Sequence, residues 1–139
     1  MVSFEKIIQK FLQLEEYLRL LGKISKTPKE AFLKDKLMIG SAKYYLQVSI
    51  KYCLDVTNHI IASEHFRAPK DYADSFMVIE EEGLVSDELG KRLRQMAKFR
   101  NRLVHLYGEI DDTYVYEFIN KDIRDIEEFK SIIIKSFKH

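Results

Sequence analysis

The segment Arg100-Asn101-Arg102-Leu103-Val104-His105-Leu106-Tyr107 collects a guanidinium, a carboxamide, an imidazole and a phenol in a short span. A guanidinium holds an oxyanion through two parallel hydrogen bonds, which the point charge of lysine does not copy. An imidazole takes or delivers a proton around neutrality, its reference pKa being about 6.5. Together these residue types suit a pocket for phosphate. No metal or cofactor is expected. His, Cys and carboxylate residues do not cluster at ligand spacing, and His59 and His65, six apart, do not share a helix face.

The segment closes a helix expected over residues 87–106, with Ser86 as its N-cap, Asp87 and Glu88 in the first turn, and Gly108 just past its end. Leu89, Leu93, Met96, Phe99, Leu103 and Leu106 step by threes and fours and make a core stripe. Lys91, Arg94, Lys98, Arg102 and His105 step likewise along the opposite face. Six basic residues and no acidic one fall between Lys91 and Arg102, whereas residues 109–128 hold eight acidic residues against Lys121 and Arg124. Two readings of the basic face stand: a solvated surface balanced by the acidic stretch, or a phosphate track in which Lys91, Arg94, Lys98 and Arg102 contact an RNA backbone.

Arg100 and Tyr107 lie near the middle of the apolar stripe, at about 100° per residue. An arginine head there needs an anionic or hydrogen-bonding partner. Arg100 and His105 are about 140° apart around a straight helix, so they converge only at a cleft near a helix end or at a subunit contact. Asn101, four residues before His105, shares its face and is placed to orient the imidazole.

The elements around this helix are helical throughout. Two prolines and five glycines favour long uninterrupted helices. Ser3 is the expected N-cap of a first helix carrying Phe4, Ile7, Ile8, Phe11, Leu14, Leu18 and Leu21, ended by Gly22 and the Lys23 to Lys26 segment. Thr27-Pro28-Lys29-Glu30 reads as the start of one very long central helix reaching about residue 64. Its apolar residues fall on two sides, so it is expected to pack on both flanks or to serve self-association. Arg67-Ala68-Pro69-Lys70 is a connector, residues 71–81 a short helix stopped at Gly83, residues 113–119 a further short helix, and Asp122 the cap of the last helix. The expected architecture is all-α: an antiparallel bundle of four long helices with one or two short ones, as a single domain over residues 1–139.

Composition narrows the function classes. Hydrophobic residues are 46% and charged residues 32% of the chain, and the formal charge is +1, so nucleic acid would be met by local charge rather than a global field. Cys53 is the one cysteine and forms no internal disulfide. With no signal-peptide pattern in Met1-Val2-Ser3-Phe4-Glu5-Lys6 and no apolar run of bilayer length, the chain is expected to be cytoplasmic and not to engage a membrane.

Arg100-Asn101 followed by His105 and Tyr107 resembles the Arg-x4-His-x-Tyr signature of the HEPN superfamily, and more closely its HepT toxin subgroup, the partners of minimal nucleotidyltransferase (MntA-type) antitoxins. Cys53-Leu54-Asp55-Val56-Thr57-Asn58-His59-Ile60-Ile61 resembles that family's central helix, and Asp125-Ile126-Glu127-Glu128-Phe129 its last one. The resemblance implies a metal-independent endoribonuclease acting as the toxin of a type VII toxin–antitoxin module. Arg100 and His105 take the catalytic positions: His105 assists attack by a ribose 2′-hydroxyl or protonates the leaving oxygen, and Arg100 holds the phosphate. Asn101 supports His105 or a phosphate oxygen. Tyr107 takes the position to which the antitoxin transfers AMP, silencing the toxin. The implied assembly is a homodimer whose paired signature helices form one cleft. The alternative is a HEPN-like subunit that binds a nucleotide or a nucleotidyltransferase without cutting RNA. Asn58 and His59 are expected to be buried polar groups, with Asn58 or His59 lining the cleft floor, and Cys53 a buried apolar filler.

Overall fold

The computed structural model describes residues 1–138, for Tyr107 the backbone without the side chain. Helix α1 spans Phe4–Ser25 and begins where expected, the Ser3 hydroxyl accepting the Lys6 N–H. It ends within the expected segment, at Ser25 with Lys26 as C-cap. Ile7, Phe11, Leu14, Leu18 and Leu21 form its buried stripe.

The central helix departs from expectation at its start. Pro28 itself occupies an N-cap position, without a side-chain cap, for a single-and-a-half-turn helix α2, Lys29–Lys34. The chain then turns extended at Asp35, whose carboxylate accepts the Met38 N–H and starts α3, Lys36–Ser63. The break is stabilised locally by that cap and tertiarily by Phe32, which is fully buried against Tyr116 with ring centroids 5.2 Å apart. As its two apolar sides require, α3 packs on both flanks, against α1 on one and against α4 (Tyr72–Glu81) and α5 (Asp87–His105) on the other. The start of α1 lies at the end of α3, since the Ser3 N–H donates to His59 Nε2 at 3.1 Å and the Met1 ammonium to the Ser63 carbonyl at 3.3 Å. The two helices are therefore antiparallel.

Helices α3 and α4 end in the same way. After α4, Gly83 takes φ +78°, with its N–H bonded to the Glu80 carbonyl and the Leu84 N–H to the Ile79 carbonyl. This double bond pattern needs a left-handed residue, which glycine adopts without a Cβ clash. After α3 the pattern recurs, His65 N–H to Ala62 and Phe66 N–H to Ile61, but the left-handed position, φ +57°, is held by His65.

Past α5, residues Tyr107–Glu109 form one 3-10 turn. Helix α6 (Asp112–Glu117) is capped by Asp111. Asp122 does not cap the last helix, contrary to expectation. Helical backbone continues through a π turn at Phe118–Asp122 directly into α7, Ile123–Phe137. The π turn brings Phe118 against Phe99, ring centroids 4.7 Å apart. Thus α1, α3, α5 and α7 form the four-helix bundle, and α2, α4 and α6, three short helices rather than one or two, close its ends and side. The buried residues make one hydrophobic cluster contributed by all seven helices. Among the described residues there is no strand and no helix long and apolar enough to cross a membrane.

Candidate active site

The stripe of α5 fixes how its polar residues point. Leu89, Leu93, Met96, Phe99 and Leu103 are buried, which anchors the helix along its length. Leu106, expected in that stripe, is 45% exposed, because the helix ends at His105 and the backbone changes direction at the cap.

A cleft of about 810 Å³ opens between the end of α3, the 64–71 connector, α4 and the last turns of α5. Asn101 and His105 line it from α5, and Asn58, His65, Tyr72 and Ser75 face them from the other elements. Asn58 Oδ1 accepts the Ser75 hydroxyl at 2.8 Å, so the carboxamide is fixed in place across the floor. Ile61, Phe66 and Pro69 supply apolar wall. Such a lining, apolar with a few convergent polar groups, is the usual form of a ligand pocket.

Arg100 sits beside this cleft and not in the core. It is half-buried, its Cζ lying 5.2 Å from the centroid of the Tyr72 ring, the ring that forms part of the cleft wall. Its Nε is buried without a hydrogen-bond partner. A guanidinium N–H withdrawn from water and left unpaired is costly, about 1–3 kcal/mol or more for a charged group. The Tyr72 ring thus packs on Arg100 and also lines the cleft, whose α5 wall includes His105.

The connector that borders the cleft is clamped. Arg67 makes paired hydrogen bonds to both oxygens of Asp74, at 2.7 and 2.9 Å, and to both oxygens of Glu81, at 2.9 and 3.0 Å. Asp74 also accepts the Lys70 N–H. The Arg67 hydrogen bonds hold the Asp74 and Glu81 carboxyls below the usual carboxylate range and raise the guanidinium in turn.

The basic face of α5 divides. Lys91, Lys98 and Arg102 are exposed. Arg94 is ion-paired with Glu80 of α4. Arg92 bonds Asp125 at 2.9 Å and Glu128 at 3.1 Å, so part of the acidic stretch does neutralise this helix.

His59 belongs elsewhere. It faces α1, accepts the Ser3 N–H, and burial, with Lys6 and the amino terminus nearby, holds its imidazole below the ordinary value. Cys53 is fully buried and burial pushes its thiol up, leaving an inert filler. The Tyr107 side chain lies outside the described residues.

Residues 14–133, which include the cleft and the whole of α5, match the sequence profile of the family described as Ribonuclease HepT-like. The chain belongs to the HepT-like family. It is 28% identical over 102 residues to mRNA nuclease HepT of Shewanella oneidensis, spanning 73% of this chain and 77% of that protein. It is 29% identical over 77 residues to tRNA nuclease HepT of Aphanizomenon flos-aquae, 54% of this chain and 51% of that one. In fold it is similar to the tri-AMPylated Shewanella oneidensis HEPN toxin solved in complex with MNT antitoxin: TM-score 0.87 at 24% identity, covering 97% of this chain and 99% of that chain. The all-α HEPN fold implied by the sequence resemblance is the fold observed for this HepT-like chain.

Two contributors to the HepT-like cleft were not legible in the sequence. Tyr72 is 28 residues from Arg100 and joins it only through the packing of α4 on α5. His65 stands in the sequence only as a histidine that does not share a helix face with His59. Its one sequence signal is a non-glycine residue at the end of a helix just before the Arg67-Ala68-Pro69 connector.

Proposed function

We propose that the chain is the endoribonuclease toxin of a type VII toxin–antitoxin module, cutting RNA without a metal ion in the cleft between α3, α4 and α5. The observation that carries this reading is Arg100: a charged side chain with an unpaired buried N–H, set beside a cleft that also holds His105 and Asn101. A phosphodiester entering the cleft would supply the missing acceptor. Its negative charge grows on the phosphoryl oxygens during displacement, and a fixed guanidinium stabilises that change. His105 exchanges the proton of an entering or leaving oxygen, and Asn101 orients the imidazole or binds a phosphoryl oxygen. Lys91, Lys98 and Arg102 track the RNA backbone on the exposed side of α5.

The antitoxin is a nucleotidyltransferase of the MNT kind, and Tyr107 is its target. Residue 107 lies two positions past His105, immediately after α5. AMP added there brings negative charge and bulk to the end of α5 that carries His105, opposing RNA. Val104 and Leu106, both exposed, flank His105 and fit a homodimer contact at this end of α5.

Expression of the chain alone should arrest growth, co-expression of the adjacent nucleotidyltransferase gene should restore it, and mass spectrometry should find AMP on Tyr107. Absence of both toxicity and modification overturns the proposal.

A further inference from the structure

We infer that His65 is the second proton carrier of the cleft, serving the side of the scissile phosphate opposite to His105. The inference rests on the ribonuclease reading above.

The reaction creates the need. When a ribose 2′-oxygen attacks the adjacent phosphorus, the O2′–P bond forms, the P–O5′ bond breaks, the 2′-hydroxyl gives up a proton and the departing 5′-oxygen gains one. Entering and leaving oxygens lie roughly in line on opposite sides of phosphorus. One imidazole on α5 reaches one side. Without a metal, a second group must serve the other.

Among the described residues, the ionisable groups lining the cleft besides His105 are His65, Lys70, Asp71 and Tyr72. The Asp71 carboxylate is engaged as the cap of α4, accepting the Asp74 N–H at 2.8 Å. The Tyr72 ring supports Arg100. Ammonium and phenol groups ordinarily hold their protons too tightly at neutral pH to exchange them. His65 remains, an imidazole on the connector side of the cleft, across from α5.

The backbone gives an independent reason. His65 is the one non-glycine residue with positive φ among the described residues, and it occupies the left-handed position that Gly83 fills after α4. A residue with a Cβ is strained in that conformation where glycine is not. Conformations of this kind gather at active sites, where the side chain is worth more than the strain. The paired bonds of Arg67 to Asp74 and Glu81 hold the connector that follows His65.

Glycine at position 65 separates function from structure, because it removes the imidazole while relieving the backbone. Full-length wild-type protein and the His65→Gly variant are compared on a single-stranded RNA oligonucleotide in chelator. The variant should melt no lower than wild type, cleave at least about 100-fold more slowly, and regain part of its rate with free imidazole in the buffer. Its pH–rate profile should lose one limb, read against the charges that face the cleft: Arg100 and His105 from α5, Lys70 and Asp71 from the connector.

A His65→Gly variant that cleaves within about twofold of wild type overturns the inference and leaves the ribonuclease reading standing. Lost cleavage with no imidazole rescue and an unchanged pH profile also overturns it, making His65 structural. A wild-type protein inert toward RNA overturns the ribonuclease reading and this inference with it.

Discussion

The Arg100 guanidinium lies 5.2 Å from the centre of the Tyr72 ring, joining the last turns of α5 to the first turn of α4 at the edge of the cleft. The ring face attracts the cation but offers no lone pair, so it positions Arg100 without satisfying its Nε–H.

Replacing Arg100 by lysine keeps the charge and removes the planar fork. Cleavage should fall about 10²–10³-fold with the melting temperature essentially unchanged. Tyr72→Leu keeps an apolar wall and removes the ring face, a contact of order 1 kcal/mol, so it should cost several-fold in rate. Initial rates on one RNA oligonucleotide check both.

Acid should loosen the connector before it unfolds the bundle. Asp74 and Glu81 have carboxyls lowered by Arg67, so the stability they contribute is fully present above the ordinary values of 3.8 and 4.5 and is lost as pH falls through the lower folded ones. Hydrogen exchange across residues 64–71 should rise below about pH 4. Arg67→Ala should produce the same exchange at neutral pH.

His59 has the same sign of linkage for a different reason. Its imidazole is lowered from 6.5 chiefly by burial, and the neutral form accepts the Ser3 N–H. Stability tied to it is present above 6.5 and declines as pH falls from there through the folded value. Urea unfolding at pH 7.5 and 5.5 should show a smaller difference for His59→Gln than for wild type. RNA cleavage by this variant at pH 7.5 should equal that of wild type.

Gly83→Ala should destabilise the protein by about 1–2 kcal/mol, because φ +78° is left-handed backbone. It should leave the catalytic rate unchanged, since Gly83 does not line the cleft. Chemical denaturation and the RNA assay, run on the same preparation, read the two effects separately.

Much of the frame was readable because its signals are local. Ser3, Asp71 and Ser86 each cap the helix they precede, Gly83 ends α4, and the three- and four-residue spacing of Leu89 to Leu103 fixes the inward face of α5. What escaped depends on contacts distant in sequence. The break at Asp35 is decided by Phe32 meeting Tyr116, and the π turn after α6 goes with Phe118 stacking on Phe99. Neither leaves a mark on periodicity. The same holds at the site: Asn101 and His105 are related by one helical turn, whereas Arg100 meets Tyr72 of α4, and Arg94 turns to Glu80.

The account stands on Arg100 and His105 acting on one phosphodiester in this cleft. The most direct measurement is cleavage of a single-stranded RNA oligonucleotide by purified protein in excess chelator, wild type beside His105→Ala, with both shown folded by circular dichroism. The account predicts cleavage by wild type and a loss of at least about 100-fold in the variant. Equal cleavage by the two folded proteins, or none by wild type, contradicts it.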